Sequence, residues 1–435
     1  MNEPEYKQAD GAIAKLFVFN SAINFEMSKS VFGKTLRKDF SFEDGYIPLG
    51  HGSFGAIPNV VKQKQREYQD KSEAHPDRWN RFEMIPIIES NLGHLSRLIK
   101  CDAQDINFVS NSSEAASVIL RSYPFKAGDK VLHYQTAYVN VNKALEFIRD
   151  QYGVQLVTVE LKYPLEDQEI LELTKQAIDR EHAKLDEPKI KLAVIDAISA
   201  APAVLFPYQA ATKLVQENGI LAMIDGAHSI GQIELDIKSL DPDFFFSNCH
   251  KWLMVPRGSC VLYVAKRNQG YIHPTTLTFA YKHHDDGFDT STFKLEFIPP
   301  TIDTSNYMCV EEALKYRESL GGEEAIREYT HNIAVEGGAL VAKMLGTQVL
   351  ENSSKTLTAS MVSIELPPFN TSLTDSEISS FIMKKLIYEH HTMAASYKNN
   401  GKWYTRLCGQ VYVDLDDFEH AGKALLVILE ELNKQ

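Results

Sequence analysis

His250 and Lys251 stand side by side in the stretch SNCHKW, directly after the apolar run FFF at 244–246. An ammonium group is costly to bury, so a lysine that leaves a buried strand either reaches solvent or serves a chemical purpose. The chemical alternative is an amine whose pKa is lowered by burial and by neighbouring positive charge, which suits it to Schiff-base formation. The position of Lys251 alone leaves both interpretations open.

Asp225 and His228 follow another predicted strand, in the stretch MIDGAHS. An aspartate at a strand end is ordinarily a turn or cap residue. If its carboxylate is buried, however, it needs a cationic or hydrogen-bonding partner, and a protonated heteroaromatic nitrogen is one such partner. Asp225, His228 and His250 could alternatively ligate a metal ion in a hydrolase, but that arrangement leaves Lys251 without a role.

Ser112 and Ser113 open a predicted helix in the stretch NSSEAAS at 111–117. Either this is a simple helix start capped by Asn111, or the N–H groups and hydroxyls there hold a phosphate. Tyr138, shortly after the next strand, is either core or an aromatic plate over a flat ligand. An anion site, a carboxylate, an aromatic plate and an amine together match the needs of pyridoxal phosphate (PLP). That cofactor needs its phosphate held, its ring nitrogen protonated and a lysine bonded to its aldehyde.

These residues lie in a region that alternates short β-rich runs with helical patterns. The predicted strands are DINFVSN, DKVLHYQ, VQLVTVEL, IKLAVIDAIS, ILAMIDGAHS, PDFFFSN and SCVLYVAK. Continuous apolar strands separated by helices predict an α/β fold, a mostly parallel sheet covered on both faces. In such sheets ligands bind beyond the carboxyl ends of the strands, which is where the polar residues above are placed.

The pattern changes after about residue 301 of the chain. One long helix is predicted within 306–345, followed by the strands MVSIELP and QVYVDL and a closing helix, DFEHAGKALLVILEELNKQ. We therefore expect a large PLP-binding α/β domain at 46–305 and a smaller α+β domain at 306–435. The segment 1–45 is expected to form an N-terminal arm that packs on the small domain.

Composition argues against several classes of partner. The net charge of −13 disfavours a nucleic-acid-binding surface, which needs clustered Lys and Arg. No run is long and apolar enough for a membrane span, and the N-terminus does not fit a signal peptide. The five scattered cysteines lack a C-x-x-C pair, which is typical of free thiols in a reducing compartment. We expect a cytoplasmic protein, with the nucleus as a further compartment.

DGAHSIG followed by SNCHKWLMVPRGSCVLYV resembles the cofactor-binding core of class V aminotransferase-fold PLP enzymes, which include cysteine desulfurases and isopenicillin N epimerase. LGHGSFGAIP and TIDTSNY are similar to segments of the epimerase-like branch, although Pro300 and Ile302 stand where that branch usually has Gly and Arg. Within the branch, the chain resembles fungal hercynylcysteine sulfoxide lyases, the last enzymes of ergothioneine biosynthesis, and cysteine desulfhydrases. The resemblance implies the fold-type-I PLP transferase fold, with a seven-stranded sheet, and a homodimer with active sites at the interface.

The resemblance also implies a role for each candidate residue. At the cofactor, the resemblance implies that Lys251 bonds the aldehyde and that Asp225 pairs with the ring nitrogen. It places His228 near the phenolic oxygen and Tyr138 stacked on the ring. Tyr138 could also donate a proton to the leaving group. The residues implied at the phosphate are Ser112, Ser113, His250 and, from the partner subunit, Thr301. Arg406 is implied as the partner of the substrate carboxylate, a task that suits a planar guanidinium. Trp403 and Tyr404 beside it are either core or contacts for a bulky cationic substrate.

The expected function is that of a PLP-dependent carbon–sulfur lyase. It would cleave the Cβ–S bond of a hercynylcysteine sulfoxide-like substrate to pyruvate, ammonia and a sulfur product. Cysteine desulfhydrase and amino-acid epimerase are alternatives within the same fold. Cysteine desulfuration needs a cysteine on a mobile loop, and none of the five is in an obvious Gly- or Ser-rich loop. A non-catalytic protein would have no need for Lys251, Asp225 and Arg406. We expect a small amino-acid substrate and no nucleic-acid or membrane partner.

Overall fold

The computed structural model describes residues 32–283, 285–298 and 301–435, so most of the predicted N-terminal arm lies outside the described residues. From Phe32 to Gln435 the chain forms one compact unit. Its central sheet consists of β1 (Ile106–Val109), β2 (Lys130–Tyr134), β3 (Gln155–Val159), β4 (Ile190–Asp196), β5 (Leu221–Asp225), β6 (Phe244–Asn248) and β7 (Cys260–Val264). The strand order is β1-β7-β6-β5-β4-β2-β3, and only β7 runs antiparallel to its neighbours. The predicted seven-stranded, mostly parallel sheet is confirmed.

Burial on both faces explains why the apolar runs form central strands. Every residue of β2, β6 and β7 is buried, whereas the edge strand β3 exposes Gln155 and Thr158. Three neighbouring parallel strands end in polar residues, namely Asp196 on β4, Asp225 on β5 and Asn248 on β6. The sheet therefore brings these side chains to one edge.

Helices cover the sheet and complete the C-terminal part of the chain. They are α1 (His51–Phe54), α2 (Asn59–Ala74), α3 (Pro76–Arg78), α4 (Met84–Ile99), α5 (Ser112–Ser122), α6 (Val139–Tyr152), α7 (Asp167–His182), α8 (Tyr208–Glu217), α9 (Ile237–Leu240), α10 (Thr290–Glu296), α11 (Val310–Ser319), α12 (Gly322–Leu345), α13 (Asp375–Tyr388) and α14 (Leu415–Leu432). Short 3₁₀ turns cover Lys34–Asp39, Ala103–Asp105, Lys266–Tyr271 and Tyr307–Cys309, and a π-helical turn covers Trp79–Glu83. As predicted, Asn111 caps α5, because its Oδ1 accepts the Glu114 N–H over 2.9 Å.

The long helix predicted within 306–345 is wrong, because the structure has two helices there. Helix α11 ends at Ser319 and α12 begins at Gly322. Gly321 and Gly322 have φ angles of +106° and +83°, which a right-handed helix cannot accommodate. The break turns the chain and leaves α11 as a separate element that carries Arg317.

A second, antiparallel sheet contains β8 (Met361–Glu365), β9 (Ala395–Asn399) and β10 (Lys402–Cys408) in the order β8-β10-β9. The strand predicted for QVYVDL is wrong. Residues 411–413 are completely buried but form a turn before α14, so their apolar character reflects burial rather than sheet pairing. Strands β9 and β10 are absent from the prediction, although Asn400-Gly401 between them is a typical hairpin signal.

The described residues before 46 lie against the C-terminal part of the chain. Leu36 and Phe40 share a buried cluster with Phe418 of α14, and the Gly33 N–H donates to the Val411 carbonyl over 2.7 Å. The domain boundaries given above stay predictions. In the part of the chain that the structure describes, no helix combines the length and the apolar character needed to cross a membrane.

Candidate active site

The sheet edge at the ends of β5 and β6 brings several predicted residues together. After β6 the chain turns so that the Lys251 Nζ lies 3.1 Å from Nε2 of His228. Asp225 raises the pKa of Lys251, and Arg406 of β10 lowers the pKa of both Lys251 and His228, so both charges lie nearby. We call Lys251, His228, Asp225 and Arg406 the lysine cluster.

The hydrogen bonds of His228 determine where the protons lie. Its pKa is held well below the ordinary value, mainly by burial, so the imidazole is neutral. The Trp252 indole N–H, which can only donate, donates to Nδ1 of His228 over 3.2 Å. A neutral imidazole that accepts at Nδ1 carries its proton on Nε2. In this tautomer the Nε2–H faces Nζ of Lys251, which can accept it when the amine is neutral.

Electrostatics favour the same protonation state for Lys251. Burial lowers the pKa of Lys251 to about 8, and the positive charge of Arg406 adds to the effect. An ordinary lysine has a pKa of about 10.4, so a far larger fraction of Lys251 is uncharged at neutral pH. The neutral amine is the form that attacks a carbonyl carbon or removes a proton.

Arg406 reaches the cluster from the second sheet and is buried there. Its Nη1 donates to the Ala200 carbonyl over 2.7 Å, and its Nη2 donates to the Ser53 hydroxyl over 3.1 Å. Its Nε is buried without a hydrogen-bond partner among the described residues. A fixed guanidinium with an unused donor is suited to an anionic ligand such as a carboxylate.

Asp225 is buried at the end of β5, with 4% of its surface exposed. Its Oδ1 accepts the N–H of Ala227 over 2.9 Å. Burial raises the pKa of Asp225, while that N–H and the charge of Lys251 oppose the shift. Lys251 forms no ion pair with it within 4.0 Å, so this buried carboxylate has no cationic contact among the residues that the structure describes. A protonated ring nitrogen would supply one.

Two residues missed by the sequence reasoning hold the turn that carries Lys251. The His51 Nε2–H donates to the Lys251 carbonyl over 2.8 Å, and its Nδ1 accepts from the Tyr412 hydroxyl. From α11, Nη1 of Arg317 donates to the Trp252 carbonyl over 2.8 Å. The HGSFG motif could have pointed to His51. Arg317 lies in an ordinary helical pattern that gives no such signal.

Gly55, the last residue of HGSFG, lies directly on the backbone of His250. A Cβ at this position would stand 1.8 Å from the His250 carbonyl oxygen, and the φ angle of +67° also favours glycine. Only glycine therefore allows the chain after α1 to pack against the Lys251 turn.

The serines predicted at a phosphate lie at the N-terminus of α5, where Asn248 is a further residue missed by the sequence reasoning. The Ser112 N–H donates to Oδ1 of Asn248 over 2.9 Å, and its Oγ accepts from Nδ2 of the same side chain over 3.0 Å. Ser113 accepts from Asn140 over 2.9 Å. Both hydroxyl hydrogens remain available to donate to an anion. The sequence signal for the role of Asn248 beside Ser112 is its polar side chain at the end of a buried strand.

His250 follows Asn248 by two residues, and its predicted contact with the phosphate stays a prediction. Its Nδ1–H donates to the Ser259 carbonyl over 3.0 Å. Burial lowers the pKa of His250 to about 4, so the free imidazole is neutral and presents a lone pair at Nε2. A contact with phosphate would require protonation of Nε2, which a bound anion would itself favour.

Tyr138 and Thr301 have no hydrogen bond or ring contact with the lysine cluster within the described ranges. Tyr138 lies at the N-terminus of α6 and is 40% exposed. Thr301 is exposed on this chain, and its predicted contact concerns a partner subunit. Pro300, the departure next to it, lies outside the described residues. The roles of these residues stay predictions.

The donor set fits PLP better than a metal ion. No group of three or more His, Cys, Asp or Glu in the described ranges is arranged to hold a metal. Both ring nitrogens of His228 are already hydrogen-bonded to neighbours. A neutral amine, a buried carboxylate without a cationic contact, and hydroxyls at a helix N-terminus instead match an aldehyde, a pyridine nitrogen and a phosphate.

Comparison with known proteins gives independent information. The family model for Aminotransferase class-V matches residues 55–383. The hercynylcysteine sulfoxide lyase of Schizosaccharomyces pombe is 28% identical over 399 residues, which cover 91% of this chain and 97% of that protein. The L-cysteine desulfhydrase-like protein lolT2 of Epichloe uncinata is 31% identical over 441 residues, covering 92% of this chain and 94% of that protein.

A solved structure supports the fold. It is a mutant of C-DES with glycine covalently linked to the PLP cofactor, and it matches with a TM-score of 0.71 at 16% identity. The match covers 89% of this chain and 98% of that one.

Proposed function

The chain belongs to the class-V aminotransferase family, and on this premise we propose that it is a PLP-dependent lyase that cleaves the Cβ–S bond of a cysteine-derived substrate. The observation that carries the proposal is the buried Lys251 amine, which lies 3.1 Å from Nε2 of His228 and whose pKa is lowered by burial and by the charge of Arg406. The relatives named as a sulfoxide lyase and a desulfhydrase-like protein support carbon–sulfur chemistry.

The residues that would hold PLP follow from the geometry. Lys251 would bond the aldehyde carbon, Asp225 would pair with the ring nitrogen and His228 would lie near the phenolic oxygen. The N-terminus of α5, with its serines, would hold the phosphate. When bound, PLP supplies an electron sink for the electron pair released at the substrate Cα.

The chain's own residues then perform the proton transfers and the orientation. Arg406 binds the substrate carboxylate, which fixes the direction of the Cα–H bond. The neutral Lys251 amine removes the Cα proton. The sulfur group leaves Cβ with the electrons of the broken bond, and water completes the conversion to pyruvate and ammonia. A sulfoxide substrate releases a sulfenate, whereas cysteine releases hydrogen sulfide.

We further propose that the substrate carries a bulky cationic group on sulfur, as in hercynylcysteine sulfoxide, a trimethylated histidine derivative. A cavity of about 520 Å³ is lined in part by His51 and Ser53, which contact the Lys251 carbonyl and the Arg406 side chain. Its lining includes aromatic rings and carboxylates, among them Phe42, Glu43, Asp44, Tyr46 and Phe54. Aromatic faces and carboxylates suit a trimethylammonium group. Free cysteine would leave most of this volume empty.

The cysteines favour lyase chemistry over desulfuration. Cys101 is partly exposed and the other four are buried. Burial raises the pKa of Cys249 to about 12 and also raises the pKa of Cys408, which stands two residues from Arg406. A cysteine that accepts sulfur must be an accessible thiolate. These thiols do not meet that condition.

We also propose a homodimer in the cytoplasm, with Thr301 reaching the phosphate of the partner's site. Large apolar side chains that are exposed on this chain support association, namely Phe54 at 72%, Phe82 at 73% and Phe279 at 91% exposure. Light scattering of the purified protein would measure the dimer. A monomer at micromolar concentration would contradict it.

Pyruvate release is the direct test of the lyase. We expect hercynylcysteine sulfoxide to be turned over with a higher kcat/KM than cysteine, and Lys251→Ala to abolish both activities. Lys294→Met is a matched control, because burial also lowers the pKa of Lys294 to about 8, yet its Nζ donates to backbone carbonyls outside the lysine cluster. Turnover by Lys251→Ala would contradict the lyase. A preference for cysteine would contradict only the proposed substrate.

A further inference from the structure

Asp196 is a second buried acid next to Asp225. The two residues end the adjacent parallel strands β4 and β5, and they are direct partners in the register of the sheet. Partners on neighbouring parallel strands lie about 5 Å apart and point to the same face. Asp196 and Asp225 are each only 4% exposed. The sheet therefore places two carboxyl groups side by side away from solvent.

The surroundings of the two acids differ. Asp225 accepts a hydrogen bond from the Ala227 N–H, and the positive charge of Lys251 acts to lower the pKa of Asp225. Asp196 has neither, and its Oδ2 is buried without a hydrogen-bond partner in the described part of the chain. The titratable groups near it are Asp225, Tyr134 of β2 and Tyr163 after β3, none of which is cationic.

This asymmetry determines which acid holds a proton. Two adjacent buried carboxylates cannot both be charged at low cost, so such a pair retains one proton. Burial, and then the charge of Asp225, raise the pKa of Asp196 well above its ordinary value. Asp225 has the contacts that stabilise a negative charge, and Asp196 does not.

We propose that Asp196 is a positioning residue that stays a neutral carboxylic acid, so that the pair presents a single negative charge, on Asp225, to the ring nitrogen of PLP. The part of the inference that concerns the ring rests on the proposed function; the shared proton does not. A neutral acid beside Asp225 fills the strand end and offers an O–H donor without adding a second charge. One carboxylate then faces one cationic nitrogen.

The first test needs no cofactor. A carboxyl group whose pKa is higher in the folded state than in the unfolded state, where it is about 3.9, costs stability as pH rises through the folded pKa. Asn cannot ionise, so the thermal stability of cofactor-free Asp196→Asn relative to the wild type should increase as the pH rises above about 4, where the unfolded carboxyl ionises and the folded one does not. We expect a relative gain in Tm of about 2 °C or more between about pH 4 and neutral pH.

Asp243→Asn is the matched control. Asp243 is also buried, but its Oδ1 pairs with Nε of Arg267 over 2.9 Å, so this substitution removes an ion pair and should lower Tm at neutral pH. If Asp196→Asn behaves like Asp243→Asn, Asp196 is charged and the proposal is overturned. This result would leave the lyase assignment intact, because no substrate is involved.

The second test uses the PLP-loaded enzyme and its absorbance as a function of pH. Asp196→Asn keeps a neutral donor, so its absorbance titration should match the wild type and its kcat should stay within about threefold. Asp196→Ala lacks the donor, so its titration should move and its kcat should fall roughly tenfold. Identical titrations of the Ala variant and the wild type would exclude a positioning role. A shifted titration in the Asn variant would show that the charge of Asp196, and not its donor, is used.

Discussion

Replacing Trp252 with phenylalanine tests the proton positions in the lysine cluster. The variant keeps a buried ring but loses the N–H that donates to Nδ1 of His228 over 3.2 Å. Without that donor the imidazole can carry its proton on Nδ1, and Nε2 can then accept a hydrogen bond from the Lys251 ammonium. The charged lysine gains a partner that it lacks in the wild type, so its pKa should rise.

The size of the shift follows from the energy of that hydrogen bond. A hydrogen bond to a charged group contributes about 1.5–3 kcal/mol. One pKa unit corresponds to about 1.4 kcal/mol, so we expect the pKa of Lys251 to rise by about one to two units. The starting value is about 8. In the wild type, the hydrogen bond from the Trp252 indole to His228 joins two neutral groups. Its loss should lower the free energy of unfolding by about 1 kcal/mol.

Trace acetylation of the cofactor-free protein measures this pKa directly. The acetylated fraction of the Lys251 peptide is determined by mass spectrometry across a pH series, because only the neutral amine reacts. Trp79→Phe is the control, since Trp79 is also buried but lies against Tyr68, outside the cluster. A Trp252→Phe titration superimposed on that of the wild type would refute the assigned tautomer and the neutral amine that depends on it.

Three further substitutions test separate parts of the site. Lys251→Met should stabilise the cofactor-free protein by about 2–3 kcal/mol at neutral pH, and the gain should vanish above about pH 10, where the unfolded lysine is also neutral. Urea unfolding at both pH values measures this, and equal stabilities at neutral pH would contradict it. Gly55→Ala should lower the free energy of unfolding by about 2–4 kcal/mol and reduce the PLP content of the purified protein, because the added methyl group collides with the His250 carbonyl. Gly45→Ala shares a positive φ but has nothing within 4 Å, so it separates backbone strain from the clash. Arg406→Lys should raise KM about 10- to 100-fold and also lower kcat, because an ammonium cannot bind a carboxylate through two donors and so orients the Cα–H bond less well; an unchanged KM in steady-state kinetics would remove Arg406 from carboxylate binding.

The sequence predicts the central sheet well because its signals are local. Buried parallel strands are short apolar runs, and the polar residues that follow them, such as Asp225 and Lys251, must lie at one edge once the strands are parallel. The secondary-structure prediction fails where residues are buried for a reason other than pairing in a sheet. Residues 411–413 form an apolar run like that of a buried strand, yet they are buried because Tyr412 packs against His51 and the N-terminal segment.

The supporting residues of the site could not be predicted in the same way. Arg317 donates to the Trp252 carbonyl, although the two residues are far apart in the sequence. The helical pattern around Arg317 does not indicate which buried turn its side chain reaches. For Trp403 and Tyr404 the sequence leaves packing and substrate contact as alternatives. Both precede Arg406 on β10, where Trp403 points to the opposite face and Tyr404 to the same face as Arg406. Both pack against other rings, at 6.0 Å between centroids, which favours a role in the packing of the second sheet.

The origin of Arg406 in β10 has a consequence for the synthesis of the protein. The group that helps to make Lys251 reactive follows Lys251 in the sequence and leaves the ribosome after it, as do the residues of the turn at 411–413 that hold His51 in place. Until then Lys251 lacks the burial and the neighbouring charge that lower its pKa, and a lysine with an ordinary pKa is almost entirely charged at neutral pH. We therefore expect an incompletely synthesised chain to react more slowly with aldehydes at this amine. The amine becomes reactive only when the pocket that selects its partner is complete.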